Sequence, residues 1–251
     1  MREYHKIQSV FKRDQKGRFL LGEFARPELE YLLDCEWEWT EKVDGTNIRI
    51  GLAFDPPDDS GNLPALSYAV GGRTDRAQIP ATLLDAIEAL GLREKLPALF
   101  DGPVTLYGEG YGAKIQKGGG NYRPDQGFIL FDVKVGEWWL DRENVEDVAD
   151  KLGLEVVPLW VTSKFKTWGN RVVGTLRAAI ADVAGGHLQS VWTDVAPEGL
   201  VGKPVVPLFN RKGERTVVKV EVKDFERLRR DGIDLGEWAQ TASSTSSGGS
   251  S

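Results

Sequence analysis

One cysteine and two histidines, well separated, are all the thiol or imidazole metal ligands that a chain of 251 residues offers. Cys35 has no internal disulfide partner, and His5 and His187 lie too far apart in sequence for a zinc spacing, so any metal has to be held by oxygens. No residue near Cys35 reads as an activating base, and a buried or half-buried thiol is expected there. Long apolar runs are missing too. Nothing approaches the ~20 residues that span a bilayer, and the opening Met-Arg-Glu-Tyr-His-Lys is no signal sequence, so a cytoplasmic protein without a membrane partner is expected. Positive charge is also scarce. A formal net charge of −6 excludes a protein that coats nucleic acid by long-range attraction alone.

What is present suits a folded enzyme. Hydrophobic residues make up 41% and charged residues 28%, enough for a real core. Residues 203–230 hold nine basic side chains against four acidic ones, a basic region that can face phosphates or, for Arg227, Arg229 and Arg230, form a solvated helix face. Strand patterns occupy residues 37–42, 46–54, 66–70, 104–109, 128–133, 155–160, 199–203 and 216–222. Pro80 opens a helix that Gly91 ends, Asp141 caps another that closes at Gly153, and a third is expected over 171–183. Loops are expected at 55–63 and 118–125. The irregular order predicts an α+β fold with antiparallel sheets flanked by helices, one domain over residues 1–240. Residues 241–251, almost only Ser, Thr, Gly and Ala, read as a disordered tail.

Residues 40–50 read Thr-Glu-Lys-Val-Asp-Gly-Thr-Asn-Ile-Arg-Ile and place Lys42 at the end of an apolar strand, before a glycine turn. A lysine held between two strands can be desolvated and made nucleophilic near neutral pH. Asp-Gly is also a common hairpin turn, so Lys42 to Gly45 alone leaves both readings open.

The rest of the chain tips the balance. Lys-x-Asp-Gly resembles the nucleotidyl-acceptor motif of the covalent nucleotidyltransferases, which include DNA ligases, RNA ligases and mRNA capping enzymes. Further segments resemble that superfamily's signatures, in its order: Arg73 in Gly-Gly-Arg-Thr, Glu109 in Tyr-Gly-Glu-Gly, Phe131 in Phe-Ile-Leu-Phe-Asp-Val, Glu198 in Glu-Gly-Leu-Val, and Lys219 in Val-Val-Lys-Val. Thr46-Asn47 and the run Ile-Gln-Lys-Gly at 115–118 are most similar to the nick-sealing RNA ligase branch.

The resemblance implies a nucleotidyltransferase fold, ATP-grasp-like, that binds its nucleotide between sheets. It implies Lys42 as nucleophile, Glu198 as metal ligand, and a nucleotide site built from Glu41, Asp44, Gly45, Asn47, Arg73, Glu109, Phe131, Lys203 and Lys219. ATP and magnesium, or manganese, are the implied cofactors. The implied partner is a nucleic acid, RNA above all, with 5′-phosphate and 3′-hydroxyl ends, as in RNA repair. A monomer is expected, with a clamp for the nucleic acid supplied by its own basic surface or by a partner protein. A GTP-dependent capping-type enzyme and a catalytically idle nucleic-acid-binding module remain the alternatives. One position departs from the pattern: where the family usually has Lys-x-Lys, Lys219 is followed by Val220 and Glu221. On a strand 219, 221 and 223 share a face. Either Lys223 substitutes as the second clamp and Glu221 repels phosphate, or Glu221 is tied to a cation such as Arg73 or Lys203. Lys223 can equally open a helix.

Overall fold

A computed structural model of the chain describes residues 1–55, 65–162, 164–168, 171–186, 188–236 and 238. The expected tail over 241–251 and nearly all of the expected loop over 55–63 lie outside these residues. The described chain forms two compact units, one from residues 1–4 and 43–157, the other from residues 5–42 and 158 onward.

In the first unit, alternating apolar residues build a mostly antiparallel sheet. Its strands run in the order Glu155–Val156, Gln126–Val135, Val104–Gly112, Thr46–Phe54 and Leu66–Gly72, with Trp138–Trp139 hairpinned onto Gln126–Val135. Ile48, Ile50 and Leu52 pair across the sheet with Gly108, Leu106 and Val104, and this face is buried beneath helices. The helices supply the complementary stripes at helical spacing: Leu83 and Ile87, Leu92 and Leu96, and Val145, Val148 and Leu152. Gly91 ends the helix Ala81–Glu88 as expected, but its left-handed turn (φ 66°) starts a second helix, Leu92–Leu99. Pro97, a poor interior residue, had hidden that helix. The Asp141 carboxylate accepts from the Asn144 N–H at 3.1 Å and caps Arg142–Leu152, which Gly153 closes at φ 70°. The expected strand over 155–160 shortens to Glu155–Val156, because Pro158 has no N–H for the ladder; Leu159, already in the second unit, bridges to Thr40 of that same unit. Gly119–Asn121 adds a turn of 3₁₀ helix inside the expected loop.

The second unit has a six-stranded sheet in the order Gln8–Ser9, Val218–Glu221, Gly199–Pro204, Glu36–Glu41, Arg171–Thr175 and Lys166–Trp168. Trp37 and Trp39 stack at 5.7 Å on its core face beside Leu200, Val218 and Val220. Two helices, Leu176–Gly185 and Val222–Arg230, cover that face with Ile180, Val183, Phe225 and Leu228. The helix expected over 171–183 is therefore a strand followed by a helix. Arg171, Val172 and Val173 pair with Lys166–Trp168, and the Thr175 hydroxyl caps the helix by accepting from the Ala178 N–H at 3.0 Å. Arg229 donates to the Val183 carbonyl at 3.1 Å, so it secures that helix's C-terminal end and is no merely solvated cation. The strand expected over 216–222 is Val218–Glu221, and Val222 already begins a helix. Cys35, expected buried or half-buried, is exposed, since it lies in the turn ahead of Trp37. No helix among the described residues is long and apolar enough to cross a membrane.

Candidate active site

Strand alternation decides which side chains leave the core. In the first unit, register sets Asn47 opposite Glu109, and Arg49 opposite Tyr107 and, beyond it, Asp132. These residues lie on the face turned away from Ile48, Leu106 and Leu130. The ladder slips between Tyr107 and Gly108, which pair with Asp132 and Leu130; Phe131 is the extra residue of a bulge. Its ring meets Tyr4 edge-on at 5.1 Å, and Tyr4 also touches Tyr107 and Trp139 and donates to Asp132 Oδ2 at 2.8 Å. The bulge thus turns Phe131 onto the polar face, half-buried, so packing and base stacking are both open to it. Asn47 Oδ1 is buried and has no hydrogen-bond partner, an acceptor that a bound donor would satisfy.

The turn before this sheet is tightly fitted. A Cβ on Gly45 would stand 2.4 Å from the Gly110 carbonyl oxygen, so only glycine allows that approach. Gln116 donates to the Gly45 carbonyl at 3.0 Å, and the Asp44 N–H donates to the Tyr122 hydroxyl at 3.3 Å. Arg73 is exposed, directly after Leu66–Gly72. The chain around it is held by Arg49, 2% exposed, which donates to the carbonyls of Gly72 (2.8 Å) and Met1 (2.9 Å) and to Asp75 Oδ1 (2.8 Å).

In the second unit the same alternation puts Glu38, Thr40, Lys203, Lys219 and Glu221 on the face away from Trp37, Trp39 and Leu200. Lys42 follows the strand Glu36–Glu41, and its N–H donates to the Gly199 carbonyl at 2.9 Å. Its half-buried Nζ lies 2.5 Å from Glu198 Oε2. Lys203 stands opposite Glu38, which Arg171 approaches to 3.5 Å. Glu41 is buried and accepts from the Val191 N–H at 2.9 Å. Burial raises its carboxyl above the ordinary 4.5, with Val191 and Ser190 opposing that only in part.

Glu221 is tied, though to neither Arg73 nor Lys203. Lys219 Nζ lies 2.8 Å and Lys223 Nζ 3.0 Å from its two oxygens, and Arg13 stands at 3.7 Å. The Lys219 contact is an ion pair off the ideal hydrogen-bond direction, which leaves Glu221 Oε2 without a well-aligned donor. Burial pushes the Glu221 carboxyl up, but the two ammonium groups outweigh it and hold the group at about 2, against an ordinary 4.5. Lys223 is not on the strand: it sits in the first turn of Val222–Arg230 and reaches back to Glu221, and to Glu198 at 3.7 Å. Glu221 raises the Lys223 amine in turn. A chain of alternating charge therefore runs from Lys42 through Glu198, Lys223 and Glu221 to Lys219. Arg13, Arg49, Tyr4 and Tyr122 carried no sequence signal for these roles, since each acts through a long-range contact.

No curated protein matches the chain by sequence. Among solved structures, a ligand-free mutant of Naegleria gruberi RNA ligase superposes with a TM-score of 0.58 at 18% identity, covering 91% of this chain and 58% of that one. The Naegleria gruberi RNA ligase with PPi gives 0.56 at 20% identity, over 90% and 64%. A mutant with ATP and Mn gives 0.55 at 19%, over 86% and 56%. At such identities the likeness is one of fold, and the chain spans about three fifths of the length of these relatives. The RNA ligase family model matches residues 35–221, which include every motif from Lys42 to Lys219, and the chain belongs to that family.

Proposed function

We propose that this chain is an ATP-dependent RNA ligase that works through lysyl-AMP. The Lys42 amine attacks the α-phosphate of ATP, a phosphoramide N–P bond forms, and pyrophosphate leaves. AMP passes to a 5′-phosphate end, and a 3′-hydroxyl displaces it to make the phosphodiester. The observation that carries this reading is Lys42 itself: a half-buried amine at a strand end, held against Glu198, within the matched segment. Glu198 orients the amine and also occupies it, so nucleotide binding has to break that contact.

Asn47 and Glu109 suit the hydrogen-bonding edges of the nucleoside, and the bulged Phe131 the face of its base. Arg73, Lys203 and Lys219 are the cations for phosphate oxygens. Glu41, Asp44 and Gly45 shape the approach to Lys42. No cluster of three metal-binding side chains occurs among the described residues. Glu198 alone fits a magnesium or manganese ion that arrives on the nucleotide and keeps its waters, and not a caged resident ion. Such an ion would neutralise charge on the phosphates. A monomeric, cytoplasmic RNA-repair enzyme is the setting we propose, with any clamp from a partner protein an additional element.

The test is α-labelled ATP with magnesium or manganese, quenched in denaturing detergent at neutral pH, where a phosphoramide survives. Label should stay on the wild-type protein and vanish in Lys42→Ala and in chelator; label on another lysine refutes the assignment. A panel of 5′-phosphorylated RNA and DNA ends, free and splinted, then reads the joining steps.

A further inference from the structure

Away from these residues, the second unit has a cleft of about 320 Å³, at the lower end of small-ligand pockets. Its charge is unlike that of the chain as a whole. Lys6, Arg26 and Arg215 line it with His5, against the single carboxylate of Glu214. Arg26 is already paired with Glu28, and Arg215 is buried. Glu214 accepts from Asn210 Nδ2 at 2.7 Å; that bond, with Lys212, His5 and Arg26 nearby, holds its carboxyl below 4.5.

Beside the cleft stands a tight hairpin. Phe209 bridges to Arg215, and Asn210 Oδ1 accepts from the N–H groups of Lys212 (2.9 Å) and Glu214 (3.0 Å). Gly213 takes the left-handed conformation, at φ 73°. This turn displays Arg211 and Lys212 to solvent, and Phe209 is 55% exposed next to them. Cations around a cleft with an exposed aromatic alongside are the components of a single-strand platform: phosphates go to the cations, and a base stacks on the ring. The cleft also adjoins the proposed active-site strand, since Gln8 and Val217 line it while Ser9 pairs with Lys219.

We propose that this cleft and hairpin bind single-stranded RNA, with a backbone phosphate among Lys6, Arg26 and Arg215 and a base against Phe209. The choice of RNA as the polymer rests on the ligase reading above; the binding surface is an additional site.

The experiment uses the full chain and a fluorescent 12-nucleotide single-stranded RNA with a 5′-hydroxyl, which cannot be adenylylated or joined, and reads anisotropy across a salt series. Lys6→Glu with Lys212→Glu should weaken binding about tenfold or more, and flatten the salt dependence by about 0.7 in log–log slope for each phosphate the protein no longer neutralises. Phe209→Ala should weaken it about fivefold or more. Labelling of Lys42 by ATP without RNA should be unchanged in both. Should the charge-reversed protein melt early, Lys212→Ala at the exposed tip and Phe209→Ala decide alone. Variants that bind like wild type, a wild type that does not bind, or a poly-glutamate peptide that displaces the RNA at equal charge overturn the proposal. A wild type that binds RNA but takes no label from ATP sinks the ligase reading and leaves this one standing.

Discussion

Replacing Glu221 by glutamine keeps its shape and removes its charge. In the fold the carboxyl sits at about 2 against an ordinary 4.5. A gap of that size is worth on the order of 3 kcal/mol of stability at neutral pH. Little of it is screened, since the side chain is 2% exposed. The folded value is depressed, so the stabilisation is fully present above about pH 4.5 and is lost as pH falls toward 2. Glu221→Gln should therefore melt lower at pH 7, by roughly 6–12 °C for a chain of this length. The gap to wild type should close as pH drops through that window. Glu221→Lys goes further and crowds a third ammonium against Lys219 and Lys223, so its rate of Lys42 labelling from ATP should fall below wild type. Thermal melts at several pH values and single-turnover labelling read both effects. A glutamine variant that melts with wild type at every pH, or a lysine variant that labels faster, refutes the tied arrangement.

Arg49→Lys leaves at least two of three acceptors unmet and loosens the turn carrying Arg73, so it should lower the melting temperature and raise KM for ATP; an unchanged KM disconnects Arg49 from the site. Gly45→Ala forces a Cβ against the Gly110 carbonyl and should cost both stability and Lys42 labelling, with full labelling as the contrary result. Phe131→Leu should weaken ATP binding nearly as much as Phe131→Ala does, because leucine keeps the packing with Tyr4 but not the flat face; a leucine variant that binds ATP like wild type assigns Phe131 to packing alone.

Much of this was legible where period and burial agree. Thr46–Phe54 has the ends its alternation predicts, and the Asp141 cap and Gly153 stop hold because both depend on neighbours in sequence. Residues 171–183 misled because Thr175 both ends a β-branched strand and caps a helix, so two short elements read as one. Gln8–Ser9 and Phe11–Arg13 are too short to carry a detectable period, and the first pairs only at long range, with Val218–Glu221. At the candidate site, the motifs named Lys42, Glu198 and Lys219, but strand register and the partners of Glu221 could not be read from them. Lys223 reaches back from a helix, and Arg13 binds Asp224 across 211 positions.

The order of the two units along the chain bears on how the protein is made. Residues 43–157 arrive as one continuous stretch, so the first unit can gather nearly all its strands as soon as that stretch leaves the ribosome. The second unit is split around it. The strand that leads into Lys42 emerges early, yet its neighbours are Arg171–Thr175 and Gly199–Pro204, and Gln8–Ser9 waits for Val218–Glu221. Such distant pairings are slow, and an early strand left without neighbours is exposed to wrong ones. Lys42 thus stays beside an open strand edge while the first unit is being made. It meets Glu198 only after more than 150 further residues have been added, so the proposed nucleophile is put in place after the whole of the first unit has been made.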